Sequence, residues 1–192
     1  LKRTADAVKR GDRIYAVVRG SAVQQDGKSA SLTAPNGRAQ ERLIGEALRD
    51  AKLSSVDVRY VEAHGTGTKL GDPIETGALA NVFGTASGRE SSDPLLVGGV
   101  KGNLGHLEAA AGIAGVISAV LVLRHGTAPP NAQLKALNRE IVKSVGENPL
   151  QFSTAPTALR RRAEDVPLVA GVSSFGFSGT NAHIVLEAAP FD

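Results

Sequence analysis

From Leu107 to Leu123 the chain carries only one charged side chain, Glu108. A helix built from this run has no polar side along most of its length, so it needs cover all round. Its small residues, Ala109, Ala110, Ala111, Gly112, Ala114 and Gly115, allow neighbours to pack close. Gly126 is placed to stop it. No apolar run reaches the length of a membrane span. The segment therefore predicts a buried core helix, and the rest of the chain has to supply its cover.

Strand and helix patterns alternate along that remainder. Residues 14–19 read as a buried strand and 24–36 as a polar loop. Over 39–51, Leu43, Ile44, Ala47, Leu48 and Ala51 fall at helical spacing. Residues 58–63 form a second strand that ends at His64. Asp72 then reads as an N-cap, Pro73 as the first helical residue and Glu75 as the partner of a capping box, in a helix running to about Phe83. A third strand is predicted over 95–100. Residues 126–168 are looser and hold Pro129, Pro130, Pro149, Pro156 and Pro167. Segments 169–173 and 182–187 make a closing strand pair. This order predicts a layered α/β fold with a mixed five-stranded sheet.

Composition removes several function classes. The 192 residues make one domain or a large piece of one. There is no cysteine, hence no disulfide and no thiolate metal site, and the four histidines lack ligand spacing, so no metal is expected. The net charge of +3 is spread along the chain except at Arg160-Arg161-Arg162. That run has no flanking aromatic residues and reads as a solvated loop, so no nucleic-acid partner is expected. The N-terminus does not read as a signal peptide, no membrane partner is expected, and a cytoplasmic setting is the default. The absence of methionine predicts an excised piece, a processed piece or a mature fragment.

Two histidines lie in separate glycine-rich segments, His64-Gly65-Thr66-Gly67-Thr68 and Lys101-Gly102-Asn103-Leu104-Gly105-His106. Glycine lets backbone approach a ligand closely. Two imidazoles converging on one carbonyl can stabilise a negative oxygen. His64 follows a strand, where α/β sheets bind ligands. It reads equally as a hydrogen-bonded histidine of a tight loop. His106 is expected at the start of the long helix, where the dipole favours a neutral ring that donates one N–H; the plain alternative is a helix cap. Lys101 and Glu108 flank it and are placed to pair. His125 suits a helix C-terminus, and His183 reads as a satisfied core or sheet histidine. Ser178 misses the nucleophile-elbow pattern, since Thr180 stands where a glycine is needed. A strong nucleophile is missing.

Taken together, these segments resemble the C-terminal half of a β-ketoacyl synthase of the modular polyketide synthase type. The matching runs are 61–68, 71–75, 101–112 and 173–183, with Gln25-Asp26-Gly27 and 32–37 upstream. The resemblance implies a thiolase-like fold made of two similar halves. It implies a catalytic triad of one cysteine, in the absent N-terminal half, and two histidines, His64 and His106. Lys101 would support them, with Glu108 as its partner. Thr66 and Thr68 would contact the phosphopantetheine arm of an acyl carrier protein. Phe175 belongs to the same substrate-binding set, and Phe177 would gate the cysteine. No cofactor would be bound by the chain itself. Partners would be the N-terminal half, the acyl carrier protein and a second copy in a homodimer. Gly99 and Gly102 stand where serine is common in the family. The alternative is a noncatalytic half-domain with a relic site.

Overall fold

The computed structural model describes residues 1–27 and 34–189. The strands are β1 (Ala16–Gln25), β2 (Val58–Glu62), β3 (Leu95–Gly98), β4 (Thr127–Ala128), β5 (Leu150–Gln151), β6 (Thr157–Ala158), β7 (Val169–Phe175) and β8 (Thr180–Ala188). The helices are α1 (Thr4–Arg10), α2 (Gly37–Ala51), α3 (Gly71–Phe83), α4 (Lys101–Leu104), α5 (Ala111–His125) and α6 (Arg139–Val145).

Six strands form one mixed sheet in the order β1-β8-β7-β2-β3-β5. The β7, β2, β3 and β5 strands run parallel, while β8 and β1 add antiparallel to the β7 edge. β2 is central and buried along its whole length. Val58, Tyr60 and Val61 suit a strand covered on both faces. On one face, Ile44, Leu48, Leu79 and Phe83 of α2 and α3 pack on Val58, Val61, Val97 and Val185. On the other, Ala119, Val122 and Leu123 of α5 pack on Tyr60, Ala170, Val172 and Leu186. The result is three layers, with the sheet in the middle.

The structure revises several expectations. The main sheet has six strands rather than five, because Leu150 and Gln151 pair with Leu95 and Leu96; two residues are too few to leave an alternation pattern. β1 is a partly exposed edge rather than a buried strand, and it runs on to Gln25, into the predicted polar loop. The rest of that loop lies partly outside the described residues. α6 interrupts the segment read as loose, with Asn138 accepting from the Glu140 N–H.

α5 starts later than the apolar run, at Ala111, after a 3-10 turn over Glu108–Ala110. Contrary to the sequence reading, Glu108–His125 is long and apolar enough by composition to cross a membrane. One side of it nevertheless packs on the sheet as a core helix does. The other side is not covered by the described residues. Ile113, Ile117 and Leu121 are exposed there and, with Leu104 and Leu107, line a groove of about 610 Å³.

Candidate active site

The C-terminal ends of β2, β3 and β7 bring the two glycine-rich segments together. His64 leaves β2, and Phe175 closes β7 beside it. The imidazoles of His64 and His106 lie edge to face with centroids 5.6 Å apart. The Phe175 ring leans on His64 at 5.3 Å. His64, His106, Thr66, Thr68, Phe175 and Phe177 line one pocket of about 460 Å³.

Each imidazole has its Nδ1 engaged by a backbone donor. The Phe175 N–H donates to Nδ1 of His64 at 3.3 Å. The Glu108 N–H donates to Nδ1 of His106 at 2.9 Å. A neutral ring that accepts at Nδ1 must carry its proton on Nε2. Both rings therefore present an Nε2–H donor. Burial holds the His64 pKa down at about 4, helped by the positive charge of Lys101 and by His106, so His64 is neutral near pH 7.

His106 is not at a helix N-terminus, as the sequence reading had it. It sits in the turn between α4 and the 3-10 turn before α5. Its Nε2–H tautomer follows from the Glu108 N–H rather than from a helix dipole. Glu108 adopts a left-handed backbone, φ 49°, to aim that N–H.

The predicted pairing of Lys101 with Glu108 does not form. No ion pair among the described residues joins them, and Glu108 is exposed. Lys101 is partly buried, which lowers its pKa, while the charges of Glu62 and then Glu75 oppose that shift. Of the two threonines, Thr68 spends its hydroxyl oxygen on the turn, accepting from the Gly71 N–H at 3.0 Å. Phe177 is 85% exposed at the pocket rim.

Sequence reasoning misplaced Glu75 and Asp72. Leu70 is the N-cap of α3, and Glu75 closes no capping box. Instead, the buried Glu75 carboxylate accepts from the His64 N–H at 2.7 Å and the Gly65 N–H at 2.9 Å. Asp72 accepts from the Gly67 N–H at 3.1 Å. Both carboxylates thus hold the His64 loop from the first turns of α3. Burial pushes Glu75 up to about 7 against those two hydrogen bonds. An acid followed at helical spacing by apolar residues and facing a glycine loop was the available signal.

His125 ends α5 as read. His183 is a buried sheet histidine on β8, bonded through Nδ1 to the Ser173 hydroxyl at 3.0 Å, but it is not fully satisfied: its Nε2 has no partner among the described residues. The arginine run is exposed, and Arg162 pairs with Asp57. Ser178 lies in the turn joining two antiparallel strands.

Residues 15–135 match the family described as beta-ketoacyl synthase, C-terminal domain, and the chain belongs to it. It is 48% identical over 188 residues to 6-methylsalicylic acid synthase of Penicillium terrestre, covering 98% of this chain and 10% of that protein. It is 50% identical over 192 residues to a pikromycin polyketide synthase component of Streptomyces venezuelae, covering 100% and 5%. The ketosynthase from module 6 of the bacillaene synthase of Bacillus subtilis 168 superposes with a TM-score of 0.88 at 39% identity, covering 98% of this chain and 33% of that one. An oxazolomycin ketosynthase domain of Streptomyces albus JA3453 gives 0.88 and 37%, covering 100% and 33%. The chain thus spans a tenth or less of these curated relatives and a third of the solved ketosynthases. Its fold is the thiolase-like fold of ketosynthases.

Proposed function

We propose that this chain supplies the two catalytic histidines of a polyketide synthase ketosynthase. The reaction is a decarboxylative Claisen condensation between an acyl thioester and a malonyl-type thioester on an acyl carrier protein. The observation that carries this reading is the pair of facing imidazoles, each with Nδ1 engaged by a backbone N–H.

In the malonyl unit the carbon–carbon bond to the carboxylate breaks and carbon dioxide leaves. The electron pair moves onto the thioester carbonyl, whose oxygen becomes an enolate. Nε2–H of His64 and of His106 donate to that oxygen. Neither ring needs to gain or lose a proton, which fits the low pKa of His64. Lys101 adds a positive charge beside the developing oxyanion. The enolate carbon then attacks the acyl group held on a thiol, and the thiolate leaves.

That thiol belongs to the N-terminal half, since this chain has no cysteine. The open face of α5 is where the halves pack, and two copies of the complete domain form the dimer. Thr66, Thr68 and Phe177 line the path of the phosphopantetheine arm, which is substrate here and not a resident cofactor. Alone, the chain acylates nothing with turnover, because hydroxyls are poor substitutes for a thiolate near neutral pH.

The test is made in the complete domain. His106→Ala should lower malonyl-thioester decarboxylation roughly a hundredfold to a thousandfold, the usual cost of one oxyanion donor, with acyl loading on the cysteine preserved. His64→Ala should behave alike. Normal decarboxylation in both variants would show that neither imidazole carries the reaction, as the relic-site reading of this half has it.

A further inference from the structure

Glu62, which the mechanism above does not use, is a fully buried carboxylate at the end of β2, two residues before His64. Its Oε1 accepts from the Val100 N–H at 2.6 Å. Its Oε2 accepts from the Tyr60 hydroxyl at 2.6 Å and the Ser118 hydroxyl at 2.9 Å. The three donors come from β2 itself, from the residue just before α4, and from the middle of α5. Three donors satisfy the oxygens of this buried carboxylate.

Two glycines keep room for this group. A Cβ on Gly98 would lie 2.1 Å from the Tyr60 hydroxyl, and one on Gly115 would lie 3.2 Å from Cγ of Glu62. β3 and α5 thus each place a glycine where they meet the Tyr60–Glu62 pair. The Val100 N–H is the point where the chain leaves β3 and turns into the segment that bears Lys101 and then His106. Val100 N–H bonded to Glu62 ties that turn to the strand that presents His64.

We propose that Glu62 is a positioning residue for the two-histidine site, its carboxylate fixing the 100–106 turn to β2 so that His106 meets His64 at the working distance. This rests on the condensation reading above. Glu62 touches neither imidazole and acts through the Val100 backbone. It also faces Lys101, whose other charged or titratable neighbours are Glu75 on α3 and His64.

The test uses the complete ketosynthase domain. Glu62→Ala should lower malonyl-thioester decarboxylation about a hundredfold, the scale expected for a displacement of about 1 Å at a reacting group. Acyl loading of the cysteine should stay near the wild-type rate. Glu62→Gln keeps an acceptor for the Val100 N–H, and the Tyr60 and Ser118 hydroxyls turn to accept from its amide. It should recover most of the neutral-pH rate, with the alkaline limb of the profile moved to lower pH, because Lys101 loses one of the charges that keep it protonated. A Glu62→Ala domain that decarboxylates normally, or that loses loading and decarboxylation in parallel, overturns the proposal. A wild-type domain that does not decarboxylate overturns the reading of the reaction instead. The crystal structure of the Glu62→Ala domain then decides on its own: a displaced 100–106 turn supports the proposal, and an unmoved one overturns it.

Discussion

His64 and His106 present the same donor from unlike supports. The His64 loop is held from below by Glu75 and Asp72 through the N–H groups of His64, Gly65 and Gly67, and from the side by Phe175. The His106 turn is exposed, and His106 itself is held through Nδ1 by one backbone N–H from a residue in a left-handed conformation. The first support uses side chains on a rigid helix. The second uses backbone geometry alone. Burial lowers the pKa of His64, while the aim of His106 depends on the shape of a short turn.

Breaking the side-chain support should cost most. Glu75→Ala leaves two partly buried N–H groups without acceptors, at about 1–3 kcal/mol each. A loss of about 2–6 kcal/mol in denaturant unfolding of the complete domain is expected. A loss below that range would mean that the loop is held chiefly by its glycines and by Asp72.

The electrostatic difference is the next largest. A histidine proton resonance for His64 should titrate near pH 4, well below the unfolded value of 6.5. Between those limits the unfolded chain takes up a proton that the folded one refuses. Stability contributed by His64 is thus full above pH 6.5 and is lost as pH falls towards 4. Lys101→Met should raise the His64 pKa, since the neighbouring positive charge disfavours imidazolium. A His64 resonance that does not move in Lys101→Met would leave the shift to burial and His106.

The smallest effect is expected at Glu108. Glu108→Gly should retain decarboxylation and change stability by less than about 0.5 kcal/mol, because glycine takes φ 49° freely and keeps the N–H. Glu108→Val should cost about 1–2 kcal/mol, the penalty for a left-handed residue with a branched Cβ. Loss of activity in Glu108→Gly would show that the carboxylate matters after all.

Much of this arrangement was legible in the sequence. The glycine segments marked both imidazoles, and strand and helix periodicity placed His64 at the end of β2. Periodicity speaks only for elements long enough to repeat, so the two-residue β5 and the seven-residue α6 left no trace. The Asp72–Pro73–Glu75 pattern marked the right helix and the wrong partners. The same carboxylate can close its own helix or reach across to a loop, and only the path of residues 64–68 decides between them. The Lys101–Glu108 pairing failed for a related reason: closeness in sequence gave no sign that Glu62 and Glu75 stand nearer in space. Glu62 itself was hidden inside a strand whose other residues are mostly apolar.

The uncovered side of α5 bears on how this chain would respond to denaturant. Sensitivity to urea and the heat capacity of unfolding both scale with the apolar surface that unfolding newly exposes. Ile113, Ile117 and Leu121 are already about half exposed in the folded chain, so melting it would uncover less new surface around them than around buried residues. Its unfolding transition should be broad, with a slope shallow for 192 residues. Joining this face to an apolar partner would steepen the transition even if no bond within the chain changed.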